Sequence, residues 1–265
     1  MTLAVCLAAN ISAEVLLEFE KGTALVNINE SGARPTPGRS VVRIGHRGAA
    51  GHAPENTLAA IRAGISLGVD YVEVDVQRTR DGQLIIMHDT SVDRTTNGTG
   101  IISEMTWEAI QHLDAGHGQR VPSLEAVLDA ADGQAGVMLE IKAASIGTDV
   151  QRAVQASQFS GPVIYASFMH AEIAAIRATD AKANTMALIE GIATPSAAFA
   201  VEAKATMVGM DIESAIGMFV AALHEAELQV FVYTANEPQQ IEQALKLAVD
   251  GIISDYPERV PPRLG

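Results

Sequence analysis

The sequence predicts an α/β protein, a closed (β/α)8 TIM barrel, and three observations carry that expectation. From residue 41 onward, short apolar runs alternate with longer stretches of helical period, giving about eight βα units. The apolar runs are rich in Val, Ile and Leu, as strands covered on both faces require. The chain has 265 residues, of which 48% are apolar and 4% aromatic, enough material for one such barrel and its core.

The candidate strands are Val41–Gly45, Tyr71–Val76, Leu84–Met87, Val137–Ile141, Val163–Ser167, Thr185–Ile189, Met207–Asp211, Val230–Thr234 and Gly251–Ser254. Helical stretches stand between most of them, at Thr57–Leu67, Ser123–Ala131, Asp149–Phe159, Ala171–Thr179, Ile216–Glu225 and Pro238–Leu247. Nine strands exceed the staves of the barrel by one, and spacing identifies the surplus. Only Gln77–Gln83, with Asp81-Gly82 inside it, separates Tyr71–Val76 from Leu84–Met87. A parallel crossover needs a dozen or more residues, whereas Asp-Gly suits an antiparallel turn. Leu84–Met87 is therefore the return arm of a hairpin inserted after the second stave. Residues 1–40 read as a small N-terminal extension, with a hairpin around Lys21-Gly22 and a Gly/Pro-rich linker from Glu30 to Arg39. The barrel then occupies 41–265.

A formal charge of −14, with no run of basic residues, argues against a nucleic-acid partner and against steering of anions by the protein's overall field. Positive charge for an anionic substrate must come from a bound cation or a few placed side chains. The single cysteine, Cys6, excludes an intramolecular disulfide and a cysteine zinc cluster. No apolar stretch approaches the ~20 residues of a membrane span, so no stable membrane insertion is expected. The run Thr2–Ala9 is short, lacks a preceding positive charge and is followed by Glu14 and Glu18. It does not read as a signal peptide, and a cytoplasmic location is expected. Assembly into a homo-oligomer is left open.

Barrel enzymes carry their chemistry where strands end and loops begin, so polar residues there are informative. The first strand runs into His46-Arg47, a fork of donors for phosphate beside a transferable proton. Pro54-Glu55-Asn56-Thr57 then opens a helix, with Asn56 or Thr57 as N-cap. In Tyr71-Val-Glu73-Val-Asp75-Val the two acids lie two apart and share a strand face, while the valines point to the covering helices. Two inward carboxylates are costly unless they meet a cation or basic groups. The hairpin's return arm delivers His88, which with His46 makes an acid–base pair. Glu140 and Lys142 again share one face. Glu140 can complete a three-carboxylate oxygen site suited to Mg²⁺ or Ca²⁺, and Lys142 is a point charge for phosphate. Trp107 reads as a packing residue. His52, His112, His117, His170 and His224 read as solvated. Asp211 and Glu213 can line the site from the end of their strand.

These pieces form an ordered set. His46-Arg47-Gly48, Pro54-Glu55-Asn56-Thr57, Glu73-x-Asp75, Thr79-x-Asp81-Gly82, His88-Asp89, Arg94-Thr95-Thr96-Asn97-Gly98 and Glu140-x-Lys142 resemble the glycerophosphodiester phosphodiesterase family in order and spacing. Pro122-Ser123-Leu124, Ser167-Phe168, Thr234-x-Asn236 and Asp250 through Asp255-Tyr256-Pro257 extend the likeness over about 44 to 262. Each motif is weak alone; the ensemble is specific. The resemblance implies one divalent cation held by Glu73, Asp75 and Glu140, phosphate gripped by Arg47 and Lys142, and His46 and His88 as general acid and base. It implies a small-molecule glycerophosphodiester substrate, giving glycerol 3-phosphate and an alcohol such as choline, ethanolamine or glycerol. Tyr233 stands where the family usually has Trp, at a position that packs the glycerol or head group. Ser254 replaces a usual Thr. The segment 89–121 is short, as in compact cytoplasmic members. A phospholipid lyase resembling sphingomyelinase D and a non-catalytic phosphodiester-binding module are the alternatives; the full Arg94–Gly98 run disfavours the first and the histidine pair the second.

Overall fold

The computed structural model describes residues 14–19, 22–27, 41–191 and 196–261. In the N-terminal extension β1 (Glu14–Phe19) and β2 (Gly22–Asn27) pair antiparallel, from Glu14 opposite Asn27 to Phe19 opposite Gly22, which is the expected hairpin. Cys6, the Thr2–Ala9 run and the linker Glu30–Arg39 lie outside the described residues.

The chain then lays down β3 (Val42–Gly45), α1 (Leu58–Ser66), β4 (Tyr71–Arg78), β5 (Leu84–Ile86), α2 (Trp107–Ile110), α3 (Leu124–Ala131), β6 (Gly136–Ile141), α4 (Gly147–Ala156), β7 (Val163–Ser167), α5 (His170–Thr179), β8 (Asn184–Ile189), α6 (Ala198–Glu202), β9 (Met207–Asp211), α7 (Gly217–Glu225), β10 (Gln229–Tyr233), α8 (Pro238–Lys246) and β11 (Gly251–Ser254). The parallel staves run in the order β3-β11-β10-β9-β8-β7-β6-β4, and β3 pairs with β4 to close the ring. β5 is the surplus strand. It lies antiparallel on the end of β4, with Val76 opposite Ile86 and Arg78 opposite Leu84.

Side-chain alternation sorts the strands into two faces. Val72, Val74, Val76, Val137, Leu139 and Ile141 pack outward on Ile61, Leu124, Leu128 and Val150 of the helices. Ile44, Met138, Ile164, Met186, Met207, Phe231 and Ile253 fill the barrel interior. Since Met138 points inward, Glu140 two residues on does too. A smaller cluster of Ile85, Met87, Val92, Ile102 and Ile110 lies under the segment 89–121, with Trp107 packed against it as expected.

Close packing at the start of the barrel fixes the loop that follows its first stave. Gly48 has φ +91°, and a Cβ there would stand 2.5 Å from the Ala60 backbone of α1. Only glycine fits both the left-handed backbone and the close approach. Thr57 caps α1, accepting from the Ala60 N–H at 3.3 Å, while Asn56 takes a different task described below. α4 begins at Gly147, two residues earlier than expected, because the buried carboxylate of Glu172 on α5 accepts the N–H groups of Ser145 (2.7 Å) and Gly147 (2.8 Å). Gly147 is one of the donors a helix start leaves unpaired, and Ser145 lies just before the cap. The short α6 was not legible; five residues carry too little periodicity.

Candidate active site

β4 and β6 bring Glu73, Asp75 and Glu140 together, each offering an oxygen within 4.8 Å of the others. Glu73 is 2% exposed and Asp75 1%. Glu73 Oε2 accepts the Arg47 backbone N–H at 2.6 Å, whereas Oε1 is buried with no hydrogen-bond partner among the described residues. Asp75 is held by Asn56, whose Nδ2 donates to Oδ2 at 2.8 Å and whose Oδ1 accepts the Asp75 N–H at 3.2 Å. Asn56 reaches it from φ 58°, a left-handed conformation that Asn tolerates. Lys142 Nζ donates to Glu140 Oε1 at 2.7 Å and stands 3.5 Å from Asp75 Oδ1, and Arg47 Nε lies 3.7 Å from Asp75 Oδ2.

Two cations face three carboxylates, and the balance shows in their titration. Burial, then the charge of Asp75, pushes the Glu73 carboxyl up to about 8. Burial and Asp75 likewise raise Glu140. Burial opposes the charge on Lys142, but Glu140 and Asp75 outweigh it and hold its proton more tightly. An orphaned buried oxygen in an all-oxygen donor set fits a hard divalent cation such as Mg²⁺ or Ca²⁺.

Each histidine leaves its strand held by an aspartate. His46 follows β3, and its Nδ1–H donates to Asp255 Oδ1 at 2.7 Å. Asn236 fixes Asp255 in turn, Nδ2 donating to Oδ2 at 2.6 Å and Oδ1 accepting the Asp255 N–H at 2.8 Å. Burial disfavours charge on His46, yet the Asp255 hydrogen bond and the field of Glu73 prevail and raise its pKa above 6.5. His88 follows β5, and its Nδ1–H donates to Asp89 Oδ1 at 2.7 Å. With Nδ1 occupied in both, Nε2 is left for the cavity.

Asp89 also accepts from Arg94 Nε at 2.6 Å, and Arg94 forks onto Glu55 at 2.9 and 2.7 Å. Glu55 Oε1 then accepts from Arg47 Nη1 at 2.6 Å. A continuous chain of hydrogen bonds and ion pairs therefore runs from His88 to Arg47 and on to Asp75. The Arg94 hydrogen bond, above all, holds Asp89 well below the usual carboxylate range.

A cavity of about 680 Å³ opens on this centre. His46, Arg47, Glu73, His88, Glu140 and Lys142 line one side, and Phe168, Glu190, Asp211, Glu213 and Tyr233 are among those lining the other. Seven of the eight site residues read from the sequence reach the cavity wall, and Asp75 lies behind it, against Glu73 and Glu140. The Tyr233 hydroxyl donates to the Ile189 carbonyl at 2.6 Å, and its ring meets Phe168 edge-on at 6.1 Å.

Two expectations fail. His170 is not solvated: its Nε2 bonds the Leu188 carbonyl at 2.9 Å and its ring stacks on Phe199. His224 lies 2.9 Å from the buried Asp250. Helical periodicity does not show which partner a neighbouring strand end supplies. His52, His112 and His117 are exposed as expected, and His117 does not line the cavity. Glu55, Asp89, Arg94, Asn236 and Asp255 received no individual role from the sequence, and Asn56 was expected only as a helix cap. The motifs containing them were visible, but a motif does not show that Asp255 meets His46 209 positions away or that Arg94 meets Glu55 39 positions away.

Residues 46–259 match the model of the Glycerophosphoryl diester phosphodiesterase family. Among relatives, the glycerophosphodiester phosphodiesterase of Caldanaerobacter subterraneus subsp. tengcongensis is 33% identical over 229 residues, 81% of this chain and 94% of that one. The enzyme of the same name from Bacillus altitudinis is 30% identical over 230 residues, 81% of this chain and 94% of the relative. Among solved structures, a glycerophosphodiester phosphodiesterase from Agrobacterium tumefaciens superposes with TM-score 0.70 at 28% identity, over 83% of this chain and 99% of that one. A phosphodiesterase from Oleispira antarctica, in complex with the product sn-glycerol-3-phosphate, superposes with TM-score 0.77 at 24% identity, over 82% and 94%.

Proposed function

Since the chain belongs to the glycerophosphoryl diester phosphodiesterase family, whose members are phosphoric diester hydrolases, we propose that it cleaves glycerophosphodiesters to sn-glycerol 3-phosphate and an alcohol with one divalent cation. The observation that carries this reading is the buried three-carboxylate cluster with its unpaired Glu73 oxygen, set between Arg47 and Lys142.

Bound by Glu73, Asp75 and Glu140, the cation would supply charge neutralisation at a phosphoryl oxygen. Arg47 offers its guanidinium to the phosphate from a position set by Glu55, and Lys142 offers a point charge from the opposite flank. Asp255 keeps His46 protonated to higher pH, so His46 is the group that gives a proton to the departing alkoxide. His88, its Nδ1–H turned to Asp89, presents Nε2 as the base that takes the proton of the attacking hydroxyl. The Asp89–Arg94–Glu55–Arg47 chain couples the position of that base to the phosphate grip. Preorganised charges cost no rearrangement when the reaction occurs.

The test is turnover of glycerophosphocholine with added Mg²⁺ or Ca²⁺. Release of glycerol 3-phosphate and choline that stops with chelator is expected. Binding without turnover, or a cyclic phosphate as the sole end product, would overturn the reading. Among the described residues no helix is long and apolar enough to cross a membrane.

A further inference from the structure

The cavity is polarised. Its catalytic side carries Arg47, Lys142 and the two histidines, while the far side carries Glu190, Asp211 and Glu213, contributed at and beyond the ends of β8 and β9. No step of the hydrolysis uses those three acids. Tyr233 lines the cavity beside them: it pairs in register with Asp211 across β10 and β9, and its hydroxyl meets the carbonyl of Ile189, the residue before Glu190. From these positions we infer that Glu190, Asp211 and the Tyr233 ring form a subsite for a cationic alcohol group, an ammonium or quaternary ammonium, and so set the head-group preference of the hydrolysis proposed above.

Placement argues for a cation rather than a neutral polyol. Asp211 and Tyr233 are tied in place, Asp211 Oδ1 accepting the Glu213 N–H at 2.6 Å and the Tyr233 hydroxyl donating to Ile189, while Glu190 stands exposed at the rim. Burial first, then the charges of Glu140, Glu190 and Asp211, push the Tyr233 hydroxyl above its usual range. A ring face beside carboxylates suits a soft cation, through the ring quadrupole and through charge. Phe168 already has Lys142 Nζ at 5.9 Å from its centroid, so the Tyr233 side is where a second cation meets least repulsion. The whole-molecule charge adds a reason. At −14 the protein disfavours approach by an anion, whereas a zwitterionic diester carries no net charge and enters with its positive end towards the acids.

The experiment compares kcat/KM for glycerophosphocholine and glycerophosphoethanolamine with that for glycerophosphoglycerol, in the parent and in Glu190→Gln/Asp211→Asn. The parent should prefer the two zwitterionic substrates with a cationic head group. The variant should lose roughly two- to fivefold of that preference for each carboxylate, the scale of partly exposed charge pairs. Glu190→Lys should lower it further and serves alone if the double variant does not fold. Calorimetric Kd values for the same compounds in His88→Ala with divalent cation give the ratio without turnover. A cationic preference in Kd that the variant abolishes sustains the inference even if the parent hydrolyses nothing, which would sink the functional reading instead. Equal losses for all three substrates, or no preference in the parent, would overturn the subsite.

Discussion

Replacing Glu73 with Gln examines the cation site through stability instead of turnover. Glu73 is 2% exposed, and its carboxyl is pushed by burial from 4.5 up to about 8. A folded-state pKa above the unfolded one means that, without a cation, the group weakens the fold. The penalty is absent below about 4.5, grows as pH rises, and levels off above about 8. At pH 7 the distance from 4.5 is about 2.5, which at 1.36 kcal/mol each amounts to about 3 kcal/mol. Gln removes the charge and keeps an oxygen for the Arg47 N–H at 2.6 Å. In chelator at pH 7, Glu73→Gln should therefore melt above the parent, by at most roughly 6–12 °C on the scale of 2–4 °C per kcal/mol for domains near this size. By pH 5 the gap should shrink to under about 1 kcal/mol. Excess Mg²⁺ or Ca²⁺ should stabilise the parent by about 2.7 kcal/mol at a hundred times Kd and leave the variant unmoved, erasing or reversing the order. Thermal unfolding followed by dye fluorescence, with and without chelator, reads all of this. A variant that melts below the parent in chelator at pH 7, or a parent indifferent to divalent ions, would refute the reasoning.

Three further outcomes are expected. His46→Ala and His88→Ala should each lower kcat by roughly 10² or more with little change in melting temperature; a near-normal kcat in either would remove that residue from the mechanism. Asp255→Asn takes away the charge that keeps His46 protonated, so the alkaline limb of the pH–rate profile should move to lower pH, while an unmoved limb would assign the acid elsewhere. We also propose that residues 1–40 are dispensable for chemistry. A chain starting at Ser40 should keep its metal affinity and turnover, and a folded truncation that binds metal but turns over no diester would place part of the site in the extension.

The fold was legible because strand alternation is local. Glu73, Asp75 and Glu140 could be placed on one inner face from a spacing of two, and the Asp81-Gly82 turn separated β5 from the staves. The Arg47, Glu73, His88, Glu140, Lys142 and Tyr233 positions on the cavity wall follow from the same rule that strand ends point into the mouth of the barrel. What stayed hidden is whatever depends on distant pairing. No local pattern shows that Asn56 will clamp Asp75, that Asp255 will turn His46, or that Glu55 will bridge two arginines. Nor does helical period reveal that His170 and His224 meet partners on other elements. The acidic far wall was half seen: Asp211 and Glu213 were visible at a strand end, but Glu190 was not singled out.

The bond between His46 and Asp255 joins residues 209 positions apart, and it crosses the seam where β11 meets β3, next to the pairing of Ser254 with Gly45. During synthesis that seam is the last stave pairing the chain can make, because β11 is the last strand laid down. Loop closure over so long a stretch is entropically costly and slow relative to hairpins such as β4–β5. Catalysis is thus a clock for ring closure. During refolding, secondary structure and the outer apolar clusters can form while the acid–base pair is still incomplete, and turnover should return only in the slowest phase. A fragment ending before β11 can retain the three carboxylates and still lack an oriented His46, so cation binding and hydrolysis would separate in time and in truncated chains.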